Sequence, residues 1–269
     1  MDLRGLAHRY RFVVFTAITL GLAALAFGSG MDPLMIPFVL VLLPVIGAVV
    51  TALVGGRGEL GRLVRRMGRW RMSPWLYVAA IGLGVVANLF IVVLAVVAGT
   101  PASDAFSDMS AAVLVIPLVV LLPALFEEFG WRGFGIPALN RMPLLAASLL
   151  VGIPFTLIHL PLHMPGHLYA ELPMWPTILA TMSMAVLTGW AFAAGRGSSL
   201  LAGLLHAAAN GAVPLTWGID VVRVWELRGV VYAVLAVAVV ILARRLMASP
   251  LEEADPAEPE LVLTPAPAA

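Results

Sequence analysis

The sequence contains no cysteine and no lysine, and it has few charged residues of any kind. The absence of cysteine excludes disulfides, thiolate metal ligands, a cysteine nucleophile and lipid attachment at a cysteine of this chain. Charged residues make up 12% of the chain and hydrophobic residues 61%, whereas a soluble domain is about 25% charged and about 45–50% apolar. With a mean hydropathy of +1.01, the chain lacks the polar surface that a soluble protein needs.

Long apolar runs dominate what is present. A bilayer core of about 30 Å is crossed by about 20 helical residues, so the runs predict an all-α, single-domain, polytopic transmembrane bundle of about eight spans. The uncharged runs occupy 12–31, 33–56, 72–103, 110–126, 142–158, 172–195, 197–219 and 229–243. We expect the fourth span to continue to about Leu139 and the eighth to about Met247.

The positions of the arginines predict the orientation of the bundle. All sixteen basic residues are Arg, and most lie before the first span, between spans two and three, or in every second loop after that. Because basic residues stay on the cytoplasmic side, we expect a cell-membrane protein with both termini in the cytoplasm. This distribution gives no support to a nucleic-acid partner. A basic start followed by an apolar run and Ala24-Leu25-Ala26 also fits a cleaved signal peptide.

The chain divides into three segments by composition. Residues 1–110 are N-terminal transmembrane helices with a basic cytoplasmic loop, in which 57–72 is expected to form a helix on the inner membrane surface. Residues 111–247 contain the polar residues at membrane depth that are described next, with a loop at Asp220–Arg228. Residues 248–269 are Pro-rich and acidic, which predicts a disordered tail.

Three of the spans carry polar side chains at membrane depth, where ionisable groups are costly and by default mark function. Glu128 and Arg132 are four residues apart and share a helix face, in the order that favours an ion pair. Glu127 lies about 100° around the helix, where Arg132 reaches it less easily. We therefore predict a structural Glu128–Arg132 pair and an available carboxylate at Glu127. Two adjacent carboxylates in low dielectric disfavour double ionisation, which suits a general acid or base.

His159, His206 and Asn210 lie in two further spans. His206 and Asn210 are four residues apart on one helix face. One carboxylate, two imidazoles and one amide in a single cavity suit water activation by the glutamate and one histidine. The other histidine and the asparagine would then stabilise an oxyanion. Each residue alone would more often be a hydrogen-bond partner between helices.

The depth of these residues in the membrane raises a difficulty. Straight helices counted from the loops place Glu127 in the inner half of the bilayer and His159 in the outer half. Bends at Pro123 and Pro154, or the continuation of the fourth span, would bring the two side chains level.

The motifs Glu-Glu-x-x-x-Arg, Phe-x-x-x-His and His-x-x-x-Asn occur in this order, in separate spans. The ordered set resembles the CPBP family of intramembrane proteases, the CAAX protease and bacteriocin-processing (abortive infection) family, which includes the type II CAAX prenyl endopeptidases. The resemblance implies that residues 111–247 form an intramembrane catalytic domain, in which Glu127, assisted by His159, activates water. It also implies that His206 and Asn210 form the oxyanion hole. Glu128 and Arg132 would support the site.

The resemblance implies a membrane-associated peptide or protein substrate, CAAX-type or bacteriocin-like, that is reached within the lipid bilayer. No cofactor is required by the glutamate-dependent mechanism. Zinc held by His159, His163 and His206 is the alternative. Two other functions use the same residues: a non-catalytic membrane scaffold or immunity-type relative, and a proton or small-solute carrier.

Overall fold

The computed structural model describes residues 10–56, 58–105, 112–253 and 261–263, and these are almost entirely helical. The helices are α1 Arg11–Gly28, α2 Ile36–Leu40, α3 Leu43–Gly55, α4 Glu59–Met67, α5 Pro74–Val97, α6 Ala102–Ala105, α7 Ala112–Gly130, α8 Ile136–Ala138, α9 Leu144–Leu157, α10 Met174–Ala194, α11 Ser199–Gly211, α12 Val221–Leu242 and α13 Arg244–Ala248. A π-helical turn spans Trp131–Gly135, and 3₁₀ turns span Leu160–His163 and Val213–Thr216.

Eight of the helical segments are long and apolar enough to cross a membrane, which confirms the predicted polytopic bundle. They are Arg11–Gly28, Ile36–Gly55, Pro74–Val97, Leu114–Ala138, Leu144–His163, Met174–Ala194, Ser199–Thr216 and Val221–Leu242. The fourth span continues past its two glutamates to Ala138, as predicted, because the chain passes from α7 through the π-helical turn into α8 without a loop.

The centre of the bundle is α11, which packs against both α5 and α7. Glycine permits these contacts. A Cβ on Gly84 of α5 would lie 2.5 Å from the backbone nitrogen of Ala209, and one on Gly203 of α11 would lie 2.6 Å from Leu125 of α7. In a bilayer, helices associate through such close packing of small residues. The central helices are therefore in near backbone contact.

The N-terminal spans share the hydrophobic core of the motif-bearing helices. Phe15 of α1 packs edge-on against Trp131, with ring centroids 5.4 Å apart, and its ring lies 5.3 Å from that of Phe134. The basic segment forms α4, as expected, and its buried Arg66 donates a hydrogen bond of 3.0 Å to the carbonyl oxygen of Gly133. Both contacts reach the π-helical turn, so the first half of the chain supports the region of the two glutamates.

The predicted loop at Asp220–Arg228 is wrong. Asp220 caps the N-terminus of α12, where its side chain accepts a hydrogen bond of 2.9 Å from the backbone N–H of Arg223. Charged residues led us to place a loop where the first two turns of a helix stand. This helix ends at Leu242, and the segment up to Met247 belongs to the separate short helix α13.

The start of the expected disordered tail is ordered. Strands β1 Leu251–Glu253 and β2 Leu261–Leu263 pair antiparallel, and Leu251 is buried. The backbone N–H of Leu144 donates to the carbonyl oxygen of Ser249, at 3.0 Å. The rest of the tail lies outside the described residues.

Candidate functional site

The two glutamates lie at the end of α7, directly before the π-helical turn Trp131–Gly135. π-Helices occur mostly as single turns inside α-helices, and such turns are frequent at functional sites. All five residues of this turn are buried. Since the turn carries Arg132 and follows both acids, its geometry determines how the acidic and basic groups of this span face each other.

Glu128 and Arg132 form the predicted ion pair, and both side chains are completely buried. The Arg132 Nη1 atom lies 3.0 Å from Oε1 of Glu128 and 2.9 Å from Oε2. The guanidinium also lies over the ring of Phe155, 5.2 Å from its centroid, and Nη2 donates to the carbonyl oxygen of Met184 at 3.4 Å. Charge-assisted bonds of this kind compensate part of the cost of burying both ions. The pair therefore connects α7, α9 and α10.

His206 is hydrogen-bonded to the same carboxylate. Its Nδ1 atom lies 2.8 Å from Oε1 of Glu128. A carboxylate accepts, so Nδ1 carries a hydrogen, and the neutral imidazole has only an acceptor at Nε2. When the ring is protonated, Nε2 becomes a second donor, and Glu128 supplies its counter-charge. The protonated form of His206 can therefore donate a hydrogen bond into the cavity that it lines.

His159 has the same tautomer but a neutral hydrogen-bond partner. Its Nδ1 atom lies 2.7 Å from the carbonyl oxygen of Phe155, and the imidazole packs edge-on against the Phe155 ring with centroids 5.0 Å apart. A carbonyl oxygen can only accept, so Nδ1 is the protonated nitrogen and Nε2 holds a lone pair. His159 is therefore arranged to accept a proton or a hydrogen bond at Nε2. Its Nδ1 partner is a neutral carbonyl, whereas the partner of His206 is a carboxylate.

Glu127 is buried but not held by a counter-ion. Its side chain is 7% exposed, and its Oε2 atom has no hydrogen-bond partner among the described residues. The carboxylate lines the same cavity as His159, His206 and Asn210. The structure thus brings the four predicted residues to one cavity, and the difference in depth inferred from straight helices does not separate them.

A second chamber lies beside this cavity, and both chambers are lined by His159, Tyr169, His206 and Asn210. The first chamber, of about 230 Å³, contains Glu127 and is otherwise mostly apolar. Its apolar wall comes mainly from α2, the turn after α2, α7 and the segment after α9. The wall residues are Pro37, Phe38, Leu40, Val41, Val119, Val120, Pro123, Ala124, Ile158 and Leu162.

The second chamber, of about 110 Å³, is more polar, with walls from α10, α11 and α12. Its lining adds the hydroxyls of Thr177 and Thr181 and the side chains of Trp225, Arg228 and Tyr232. The ring of the shared residue Tyr169 packs at a tilt of 53° against Trp225, with ring centroids 4.7 Å apart. Burial raises the pKa of the Tyr169 phenol above its ordinary value of 10.0, so this hydroxyl stays protonated at neutral pH.

His163, from the alternative metal set, has a structural position. Its Nδ1 atom bonds the carbonyl oxygen of Leu172 at 3.0 Å, and its Nε2 atom lies 2.7 Å from the hydroxyl of Thr177. Both ring nitrogens are therefore engaged. Within the described ranges, no three His, Asp or Glu side chains are grouped so that they could hold a metal ion. The set His159, His163 and His206 does not fit a zinc site.

Sequence reasoning missed Arg228 and Trp225 because both fell within the supposed loop. The spacing Trp225-x-x-Arg228-x-x-x-Tyr232 places the three residues on one helix face, and this pattern could have identified them. In the structure, Arg228 lies 5.9 Å from the centroid of the Trp225 ring and 5.8 Å from that of the Tyr232 ring.

Comparison with known proteins identifies the segment that carries the motifs. A family model described as type II CAAX prenyl endopeptidase Rce1-like matches residues 109–212. A protein named CAAX prenyl protease 2, from Methanococcus maripaludis, is 33% identical over 96 residues. That match covers 33% of this chain and 35% of the relative, so the chain spans about a third of the length of that protein. The resemblance drawn from the three motifs is confirmed, and it lies in the segment that contains all of them.

Proposed function

We propose that this multi-pass membrane protein is an intramembrane endopeptidase, which hydrolyses a peptide bond of a membrane-associated protein or peptide. One observation carries the proposal. The Glu127 carboxylate has an oxygen without a hydrogen-bond partner in the described part of the chain, and it shares a cavity with His159, His206 and Asn210. The match of the surrounding segment to CAAX prenyl endopeptidases supports a substrate of the CAAX type.

The first step of the reaction would activate water. Glu127 accepts one proton from a water molecule, and the lone pair on Nε2 of His159 accepts a hydrogen bond from the same water. General bases contribute about 10²–10⁴-fold to such reactions. The oxygen of the water then bonds to the carbonyl carbon of the substrate, and the carbonyl π-electrons move to its oxygen.

The second step would stabilise this oxyanion and release the products. Nε2–H of protonated His206 and the amide N–H of Asn210 donate hydrogen bonds to the oxyanion. Removing one such donor costs about 10²–10³-fold in kcat. When the tetrahedral intermediate collapses, the C–N bond breaks and Glu127 returns its proton to the leaving amine. The products are an amine and a carboxylic acid, which loses its remaining proton to Nε2 of His159 and from there to solvent, and no electron transfer or metal ion is required.

The electrostatics of the buried cluster support these protonation states. Glu127 and Glu128 are two negative groups. Arg132 and protonated His206 are two positive groups that contact Glu128 and act on Glu127 at longer range. The cluster is therefore neutral when all four are ionised, which reduces the cost of holding charge in low dielectric. Transfer of a proton from water to Glu127 places the new negative charge on the oxyanion, beside His206.

The arginine distribution supports a cell-membrane location with both termini in the cytoplasm. In that orientation α4 lies at the inner surface, where anionic lipids attract its basic residues.

The deciding experiment is hydrolysis of a membrane-anchored peptide by purified protein in liposomes, compared with Glu127→Ala. We expect cleavage by the wild type and none by the variant. Glu171→Ala is the matched control, because Glu171 is an exposed acid between spans five and six, and it should keep wild-type activity. If Glu127→Ala cleaves as fast as the wild type, the proposed mechanism is wrong.

A further inference from the structure

Another cavity lies at one end of the bundle, between the connection from α4 to α5 and the turn from α10 to α11. Its volume is about 530 Å³, which is larger than that of either chamber of the candidate site. Three arginines line it, Arg69, Arg71 and Arg196, and no acidic residue is among the described residues of its wall. This basic cavity therefore gathers positive charge from two segments that are far apart in the sequence.

The two segments are hydrogen-bonded to each other. Nη1 of Arg69 donates to the backbone carbonyl oxygen of Arg196, and the hydroxyl of the buried Ser198 donates to the carbonyl oxygen of Arg69 at 2.7 Å. Tertiary contacts thus bring the arginines together before a ligand binds. A site that is arranged in advance loses less conformational freedom on binding.

Arg196 has a backbone conformation that glycine adopts more easily. α10 ends in a Schellman motif, in which the N–H of Arg196 donates to Ala193 at 2.9 Å and the N–H of Gly197 donates to Phe192 at 2.8 Å. The left-handed position of this motif is usually glycine, but here Arg196 occupies it with φ of 54°. A side chain at this position costs free energy, so its presence indicates that the guanidinium has a use in this cavity.

Aromatic residues beside the basic cavity indicate the level of the lipid headgroups. Trp70 and Trp75 are exposed, and tryptophan is enriched where a membrane meets water. The guanidinium of Arg71 lies 5.4 Å from the centroid of the Trp70 ring. The apolar side chains of Met72 and Leu76 also line the cavity. The wall is thus suited to a ligand with a negative head and an apolar tail.

We propose that the basic cavity binds the phosphate group of an anionic membrane lipid. Arginine presents a planar fork of donors that matches phosphate oxygens. Three guanidiniums without a carboxylate repel the cationic group of a zwitterionic headgroup. The inference is independent of the endopeptidase function, because none of the three arginines lines either chamber of that site. Inorganic phosphate offers similar oxygens without the tail, and the experiment separates these two sources.

The test is thermal unfolding of the purified whole chain in one uncharged detergent, with phosphatidylglycerol, phosphatidylcholine or inorganic phosphate added. A ligand that binds only the folded state raises the Tm once its concentration exceeds Kd. With phosphatidylglycerol at about 100 times Kd, the Tm should rise by roughly 5–10 °C. The other two additives should raise it by less than about 2 °C, well below the shift of a saturating ligand. An equal rise with either of them would overturn the assignment.

The diagnostic variant is Arg196→Gly. Glycine keeps the backbone carbonyl that Arg69 binds and fits the left-handed conformation better, so the fold should persist. The rise in Tm caused by phosphatidylglycerol should fall to less than half of the wild-type rise. Arg141→Gly is the matched control, because Arg141 is also exposed and left-handed, with φ of 77°, but does not line the cavity. This control should keep the wild-type rise.

The proposal is wrong if Arg196→Gly keeps the full rise, or if Arg141→Gly loses as much of it. If Arg196→Gly does not fold, Arg71→Gln decides the question in the same assay. It should lose at least half of the rise, and a full rise would contradict the proposal. Native mass spectrometry gives a direct count of bound lipids. The wild type should retain one more phosphatidylglycerol than the variant, and equal numbers would overturn the site.

Discussion

Glu127 and Glu128 are adjacent in sequence, yet replacing each with glutamine should cause two different defects. The Glu128 carboxylate is completely buried, pairs with Arg132 and accepts from His206 at 2.8 Å. Glu128→Gln leaves the guanidinium buried without its counter-ion. Breaking a buried pair from one side costs about 3–5 kcal/mol, which at about 2–4 °C per kcal/mol corresponds to a fall in Tm of roughly 6–20 °C.

Glu127→Gln should leave the Tm within about 3 °C of the wild type, a shift of about 1 kcal/mol or less. The reason is that Oε2 of Glu127 has no hydrogen-bond partner to lose in the described structure, and glutamine has nearly the same shape. Hydrolysis should nevertheless disappear, because a neutral amide cannot accept the proton of the attacking water. Both variants should thus lose turnover, and Glu128→Gln alone should lose stability.

The assay is thermal unfolding of the purified variants in one detergent, together with cleavage of the anchored peptide. A double variant, Glu128→Gln/Arg132→Gln, serves as the internal check. Residues in one buried network are not additive, so this protein should be more stable than the sum of the two single effects predicts. The reasoning is refuted if Glu127→Gln is the variant that unfolds early while Glu128→Gln melts like the wild type.

Three other measurements test separate features. Gly84→Ala should lower the Tm by about 2–10 °C through overpacking against Ala208 and Ala209. Gly82→Ala, on the same helix, should not lower the Tm, because a Cβ added at Gly82 meets no atom within 4 Å. An equal fall in Tm in the two variants would contradict the packing argument. Hydrolysis should survive exhaustive chelation, because the glutamate mechanism needs no metal, and activity restored only by added zinc would disprove it. A reporter fused after Ala269 should be shielded from external protease in intact cells, whereas cleavage from outside would mean that the predicted orientation is wrong.

The general architecture could be predicted because length and apolarity alone identify a spanning helix. Local pattern also sufficed for the Glu128–Arg132 pair, since residues four apart on a helix meet wherever the helix stands. The sequence prediction failed where the structure of a segment depends on its contacts with other helices. Trp225 and Arg228 looked like part of a loop because charged residues surround them, but α12 begins at the Asp220 cap and carries both into the second chamber.

The relative depth of the site residues was also beyond local reasoning. A straight-helix count separated Glu127 from His159, whereas both line one cavity. The π-helical turn at Trp131–Gly135 changes the helical phase at this point of the fourth span. Its supports come from Phe15 and Arg66, which are distant in sequence, so no short window of residues could have indicated it.

The close contacts at Gly84 and Gly203 also bear on how such a site could diversify. The helices that carry Glu127 and His206 meet at their backbones, so almost any larger residue at the two glycines would move the reacting groups. The apolar wall of the first chamber is not restrained in this way, because side chains such as Phe38 and Val119 line the chamber and are more than half exposed. New substrate preferences should therefore arise by substitution along that wall, while the central helices stay nearly invariant among descendants that keep the chemistry.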